Sequence, residues 1–250
     1  MEILPSVHLI DGVKGSNAYL LADDKLVLID TGLPGNAKHI LDFIKRQGRE
    51  PKELAHIIIT HAHSDHIGSV DELRATTGAK TVAHRDETTP TGDGGYVLWP
   101  DRQGQRSKLR DVLSRIASPK PSLVDCLVED EDVLPYIGGL RIVHTPGHTP
   151  GSICLLLEKS GVLFAGDTMI NNVDRLSRPL PFGSDRQASE QSLIKLSNLD
   201  FDICCFGHGP PLWEARNKVK RLATHYPRTP LYLRIARNWP RLLRFQLHNV

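Results

Sequence analysis

The chain has 250 residues, 40% of them hydrophobic and 24% charged, with a formal net charge of +2. That balance is typical of a folded globular chain of one domain and excludes disordered, collagenous and disulfide-dense classes. No apolar run approaches the roughly 20 residues that cross a bilayer, and Met1-Glu2-Ile3-Leu4-Pro5 has no basic segment leading into an apolar one, so neither a transmembrane segment nor a secretory signal is expected.

Cysteine usage and charge distribution narrow the setting further. Cys126, Cys154, Cys204 and Cys205 show no CxxC spacing and read as buried thiols, so a reducing, cytoplasmic location is the expectation. Residues 214–250 carry nine Lys or Arg against Glu214 alone, which leaves the first 213 residues at −6. Such asymmetry points to a basic tail with an anionic partner: another part of the protein, an anionic membrane surface or a nucleic acid.

In chain order, residues 18–22, 26–30, 56–60 and 80–84 are short apolar runs bounded by turn residues and predict strands of a buried sheet. Between them, residues 36–47 place Ala37, Ile40, Leu41 and Ile44 on one face with Gly48 past the end, and residues 67–77 predict a second helix. Residues 85–135 are poor in strand pattern. Thr89 to Gly95 are rich in Gly and Pro, an amphipathic stretch follows at 108–116, and Tyr96, Leu98 and Trp99 favour packing on a ligand or neighbour, so the segment reads as a binding loop or lid.

The second half repeats the pattern. A strand is predicted at 140–144, a hairpin at 152–157 and 162–165, a helix at 187–196 after Ser184-Asp185, and a strand at 203–206 ending in Gly207-His208-Gly209. The alternation predicts an α/β layered architecture. In the tail, Leu242, Leu243 and Leu247 recur at helical spacing; Pro240 and the short length favour a helix docked on the body or on a second subunit over an interfacial membrane helix.

Directly after the apolar run 57–60, His61-Ala62-His63-Ser64-Asp65-His66 concentrates three imidazoles and a carboxylate in one turn. Groups this polar are costly to assemble out of water unless a cation joins them. Later strand ends add His148, Asp167 and His208, making seven donors, too many for one tetrahedral ion and suited to two divalent ions. Imidazole and carboxylate donors suit Zn(II), Mn(II) or Fe(II), with zinc the commonest. Ser64 and Ser69 read as loop and cap residues. His84 ends a strand, from which it is placed to line a cleft.

These segments, from Thr60 through Gly68, then TPGHTPGS at 145–152, AGDT at 165–168 and the terminal GHG, resemble the metallo-β-lactamase-fold hydrolase superfamily over about residues 5–212. The resemblance implies an αβ/βα four-layer sandwich at residues 1–212, with the lid or substrate segment inserted at about 85–135 and a basic C-terminal helical extension at 213–250. It implies that His61, His63 and His148 hold a first metal, that Asp65, His66 and His208 hold a second, that Asp167 bridges them, and that Asp30 in Asp30-Thr31-Gly32 supports the metal loop. The implied chemistry uses a metal-bridging hydroxide as nucleophile, with Asp65 as proton carrier and no protein nucleophile.

The substrate class implied is a small-molecule ester, thioester or lactone, as in glyoxalase II and lactonases. Departures limit the subfamilies. Only 42 residues follow His208, short for the helical domain usual in hydroxyacylglutathione hydrolases, and Ile170 stands where acyl-homoserine lactonases usually carry Tyr. Asp167 weighs against a true β-lactamase. An iron-dependent persulfide dioxygenase, a β-lactamase-like or phosphodiesterase activity, and a non-catalytic metal-stabilised binding module are the alternatives. Tyr96, Trp99 and Ile170 are the substrate-contact candidates, and the tail is a candidate homo-oligomer contact.

Overall fold

Strands β3 (Tyr19–Ala22) and β4 (Leu26–Ile29) are apolar throughout rather than at alternate positions, which requires cover on both faces of their sheet. The computed structural model, which describes residues 1–98, 121–173, 175–178 and 185–224, shows that cover. Leu20, Leu28 and Ile57 pack with Ile40, Phe43 and Ile44 of α1 (Ala37–Arg46) and Leu73 of α3 (Val70–Thr77), which follows the short α2 (Ser64–Ile67). The alternate residues Tyr19, Leu21, Val27 and Ile29 pack instead against Leu140, Ile142, Leu155 and Phe164 of a second sheet. Beyond it, Cys154, Leu156, Leu163 and Cys204 meet Leu193 and Leu196 of α4 (Arg186–Ser197) and Val219 of α5 (Ala215–Thr224). The layers run αβ/βα, as expected.

The first sheet has the order β1 (Glu2–Leu4), β2 (Val7–Leu9), β3, β4, β5 (Leu54–Ile58), β6 (Lys80–His84) and β10 (Cys126–Val128). It is antiparallel as far as β4 and parallel from β4 to β10. The second has the order β11 (Val133–Leu134), β12 (Leu140–His144), β13 (Ile153–Leu157), β14 (Val162–Phe164) and β17 (Ile203–Cys205), with only β14 and β17 parallel. Parallel neighbours end on the same edge, so the segments after β4, β5, β14 and β17 all emerge where the two sheets meet. Ile153 N–H donates to Thr60 O at 3.0 Å and Asn17 N–H to Gly207 O at 2.7 Å, joining the sheets at that edge.

Three features depart from the sequence reading. The 85–135 segment is in part built into sheets: β7 (Thr88–Pro90), β8 (Tyr96–Leu98) and β9 (Ser122–Val124) form a small antiparallel sheet, while β10 completes the first large one. Strands of three residues are too short to show a period. The helix expected at 67–77 is two, because Gly68 lies against the backbone of Leu33 and Pro34, and Ser69 Oγ donates to Leu33 O instead of capping α3. A further hairpin, β15 (Ile170–Asn172) with β16 (Arg175–Ser177), follows β14. Trp99, the amphipathic stretch 108–116 and the tail from 225 lie outside the described residues.

All four cysteines are free thiols. Cys204 points to the helix side and Cys205 between the sheets, as strand alternation requires, so the pair serves packing. Phe164, buried between the sheets with its ring edge-on to Tyr19 at 5.3 Å, is among the largest fully buried side chains of the described residues. Phe164→Ala is expected to cost about 3–5 kcal/mol in urea unfolding; a loss below about 1 kcal/mol would contradict this packing.

Candidate metal centre

Asp30 follows β4 with φ 57°, a left-handed backbone that carboxylate residues adopt only at a cost. The strain aims its side chain across the edge. Oδ1 accepts Thr60 N–H at 2.9 Å, Oδ2 accepts the Thr60 hydroxyl at 2.7 Å, and Oδ2 pairs with His66 Nδ1 at 2.8 Å. Thr31 Oγ1 donates to His66 O at 2.8 Å. The early Asp-Thr-Gly segment therefore fixes both ends of the 60–66 turn, and it leaves His66 Nε2 free to face inward.

His61, His63 and His148 meet as three mutually edge-on rings, with interplanar angles of 81°, 77° and 88°. His63 Nδ1 lies 3.0 Å from His61 Nε2 and 2.9 Å from His148 Nε2. Beside them, His208 Nε2 lies 3.3 Å from Asp65 Oδ2, and His66 packs edge-on to His208 at 5.5 Å. Asp167 stands between the two sets, with Oδ2 3.6 Å from His148 Nε2 and 3.4 Å from His208 Nε2, and Oδ1 3.5 Å from His66 Nε2. All seven residues read from the sequence are thus brought together. Three close groups result: His61/His63/His148, Asp65/His66/His208 and His61/His66/Asp167.

The charge states divide the histidines. Burial, with the neighbouring imidazoles, holds His61 well below the usual imidazole range, and burial takes His148 down to about 4. Burial works against protonation of His66 and His208 too, but the Asp30 and Asp167 carboxylates raise His66 well above its ordinary value, and Asp167 and Asp65 push His208 up to about 9. Burial likewise opposes ionisation of Asp65 and Asp167, yet His208 and His66 hold both well below the carboxylate range. Protons on His66 and His208 thus balance the carboxylates, and a divalent cation competes for the same positions. His66 Nε2 and Asp167 Oδ1 are buried, face each other and among the described residues have no hydrogen-bond partner, as ligand atoms of a cation would.

The other sequence candidates have these surroundings. Tyr96 pairs with Arg85, whose guanidinium carbon is 5.9 Å from its ring, and packs on the helix-side core of the first sheet. Ile170 is half-buried at the start of β15, whose Asn171 N–H donates to His208 O at 3.1 Å. His84 stacks on His144 at 4.0 Å and 11°; with Asp86 they make a fourth close group, but near-parallel rings direct their lone pairs in separate planes. Two supports went unread in the sequence. Asn17 Nδ2 donates to Phe206 O at 2.9 Å and Gly209 O at 2.7 Å, bracketing His208, and Glu87 bonds the turns bearing His61 and His148. Neither has a local pattern to reveal it.

The fold is that of a known group. The chain belongs to the metallo-β-lactamase superfamily, whose family profile matches residues 11–208. It is 32% identical to the probable metallo-hydrolase YflN of Bacillus subtilis strain 168 over 201 residues, 74% of this chain and 76% of that one. With the uncharacterized protein YobT of the same organism, identity is 36% over 218 residues, covering 82% and 88%. Among solved structures, the metallo-beta-lactamase family protein TTHA1429 of Thermus thermophilus shares the fold at TM-score 0.66 and 21% identity, covering 90% of this chain and 80% of that one. The BLEG-1 B3 metallo-beta-lactamase aligns at TM-score 0.63 and 27% identity, covering 84% and 94%.

Gly207 offers a sharp test of the arrangement, because a Cβ there would overlap Asp167 Oδ1 and stand 2.8 Å from His66 Cε1. Gly207→Ala is expected to keep its circular dichroism spectrum while divalent-metal affinity, read by chelator competition, falls at least about tenfold. Unchanged affinity would mean that these two side chains are not where metal binds.

Proposed function

We propose that this chain is a dinuclear metal-dependent hydrolase of a small-molecule ester, thioester or lactone. The observation that carries the reading is the convergence of two donor trios on one shared carboxylate, Asp167, within 3.6 Å of nitrogens from both. His61, His63 and His148 would hold one ion, Asp65, His66 and His208 the other, and Asp167 both. Zinc is the first candidate by its preference for this donor set, with Mn(II) and Fe(II) compatible. When bound, such ions supply Lewis acidity and a water whose pKa falls toward about 7.

The protein's own groups complete the chemistry. Asp65 lies 3.3 Å from His208 Nε2 and remains partly open to solvent, so its carboxylate is placed to accept a proton at the edge and release it to a leaving group. Asp30 and Thr31 keep His66 in one orientation, and Asn17 holds the His208 turn, so the donors are preorganised before substrate arrives. The relatives described as metallo-hydrolases support hydrolysis, and the likeness to a B3 metallo-beta-lactamase is the reason to include β-lactams in the substrate search.

Purified protein is expected to carry divalent metal in stoichiometric amount and to cleave at least one member of a thioester, lactone, β-lactam and phosphodiester panel. On that substrate, Asp65→Asn is expected to lower kcat by about 100-fold or more and His63→Ala to abolish turnover. Protein without stoichiometric metal, or hydrolysis unchanged in His63→Ala, would reject the reading. Iron alone with oxygen uptake on a persulfide would replace it by a sulfur dioxygenase.

A further inference from the structure

Among the described residues the buried carboxylates are Asp30, Asp167 and Glu87, and all three lie at the edge where the sheets meet. The first two belong to the donor set and its support. Glu87 ends the short turn Arg85–Glu87 after β6, and among the described residues its hydrogen bonds go to Ala62, Thr149 and Gly151 and it forms no ion pair with Lys, Arg or His. Its partners are neutral donors on two loops. Oε2 accepts the N–H of Ala62, between His61 and His63, at 2.6 Å. Oε1 accepts the N–H of Gly151 at 2.9 Å and the hydroxyl of Thr149, the residue after His148.

The contact is close on every side. A Cβ on Gly151 would stand 2.6 Å from the Glu87 nitrogen, so the 148–151 turn approaches Glu87 as only glycine allows. Thr149 is held further by its own N–H, which donates to Ser152 Oγ at 3.1 Å. The two loops belong to different sheets, one following β5 and the other joining β12 to β13. A carboxylate suits the junction because both oxygens accept, whereas the single acceptor of a glutamine would leave its NH2 facing another donor.

We propose that Glu87 is a positioning residue that clamps the His61–His63 turn to the His148 turn and so sets the affinity of that trio for a divalent cation. The inference rests on the metal-centre reading above and adds to it a group that touches neither metal nor substrate. The clamp bears directly on the first trio, whereas in the second Asp30 bonds His66 and Asn17 bonds the carbonyls flanking the His208 turn.

The test is Zn(II) titration against a chromophoric chelator, with His63→Ala and His208→Ala identifying the two classes of site in the full chain. Glu87→Gln is expected to weaken the class lost in His63→Ala by about 10–100-fold and to leave the class lost in His208→Ala within about threefold. Equal weakening of both classes together with a lower melting temperature would mean general loosening and overturn the proposal. Should Glu87→Gln fail to fold, Thr149→Val removes one of the three donors and is expected to weaken the same class by about three- to tenfold; unchanged affinity there overturns it too. Wild-type protein that takes up no Zn(II) rejects the metal centre itself, whereas normal wild-type uptake with an unaffected Glu87→Gln rejects the clamp alone.

Discussion

A carboxylate shut away from water is stable only among donors or cations, and among the described residues the buried carboxylates lie along one edge. Each meets that demand differently. Asp30 takes two neutral bonds from Thr60 and one contact from His66, Glu87 takes three neutral bonds, and Asp167 is left among histidines with one oxygen unpartnered. Concentrating negative charge at the junction of two sheets calls for positive charge beside it, from protons on His66 and His208 or from a cation that displaces them. The rest of the architecture serves to keep that concentration in place.

The two sheets do so by ending together. Because β4 runs parallel to β5 and β14 parallel to β17, four chain segments emerge side by side, and the edge is built from backbone ends rather than from one long loop. Rigid strands on which turns are mounted give tighter placement than a free loop would. The continuous core between the sheets, from Val7 through Phe164 to Cys205, fixes the spacing of the two halves of the site.

Legibility in the sequence followed sequence distance. The strands at 19–22, 26–29 and 153–157 were readable because burial on both faces makes them apolar throughout, and the donor cluster at 61–66 was readable because its members are neighbours. His148, Asp167 and His208 became legible through short motifs at strand ends. For Tyr96 the sequence showed an aromatic that packs on something, but not the small sheet it joins or its pairing with Arg85. Glu87 and Asn17 were invisible for a stronger reason. Their partners lie 25 to 64 and about 190 residues away, and nothing in the local pattern of a single Glu or Asn encodes such a pairing.

The bond from Asn17 to the carbonyls on either side of Gly207 and His208 has one more consequence, for the order in which the site comes into being. A ribosome delivers the first sheet, the 61–66 turn and then the His148 turn well before the Gly207-His208-Gly209 turn exists. A chain that stops short of residue 208 carries all three imidazoles of the first trio but lacks the third partner of Asp65 and His66 and the Gly209 carbonyl that Asn17 binds. The residues of the site are therefore all present only late in synthesis, once the strand that pairs with β14 has been made, and its end is bonded by a side chain made nearly two hundred residues earlier.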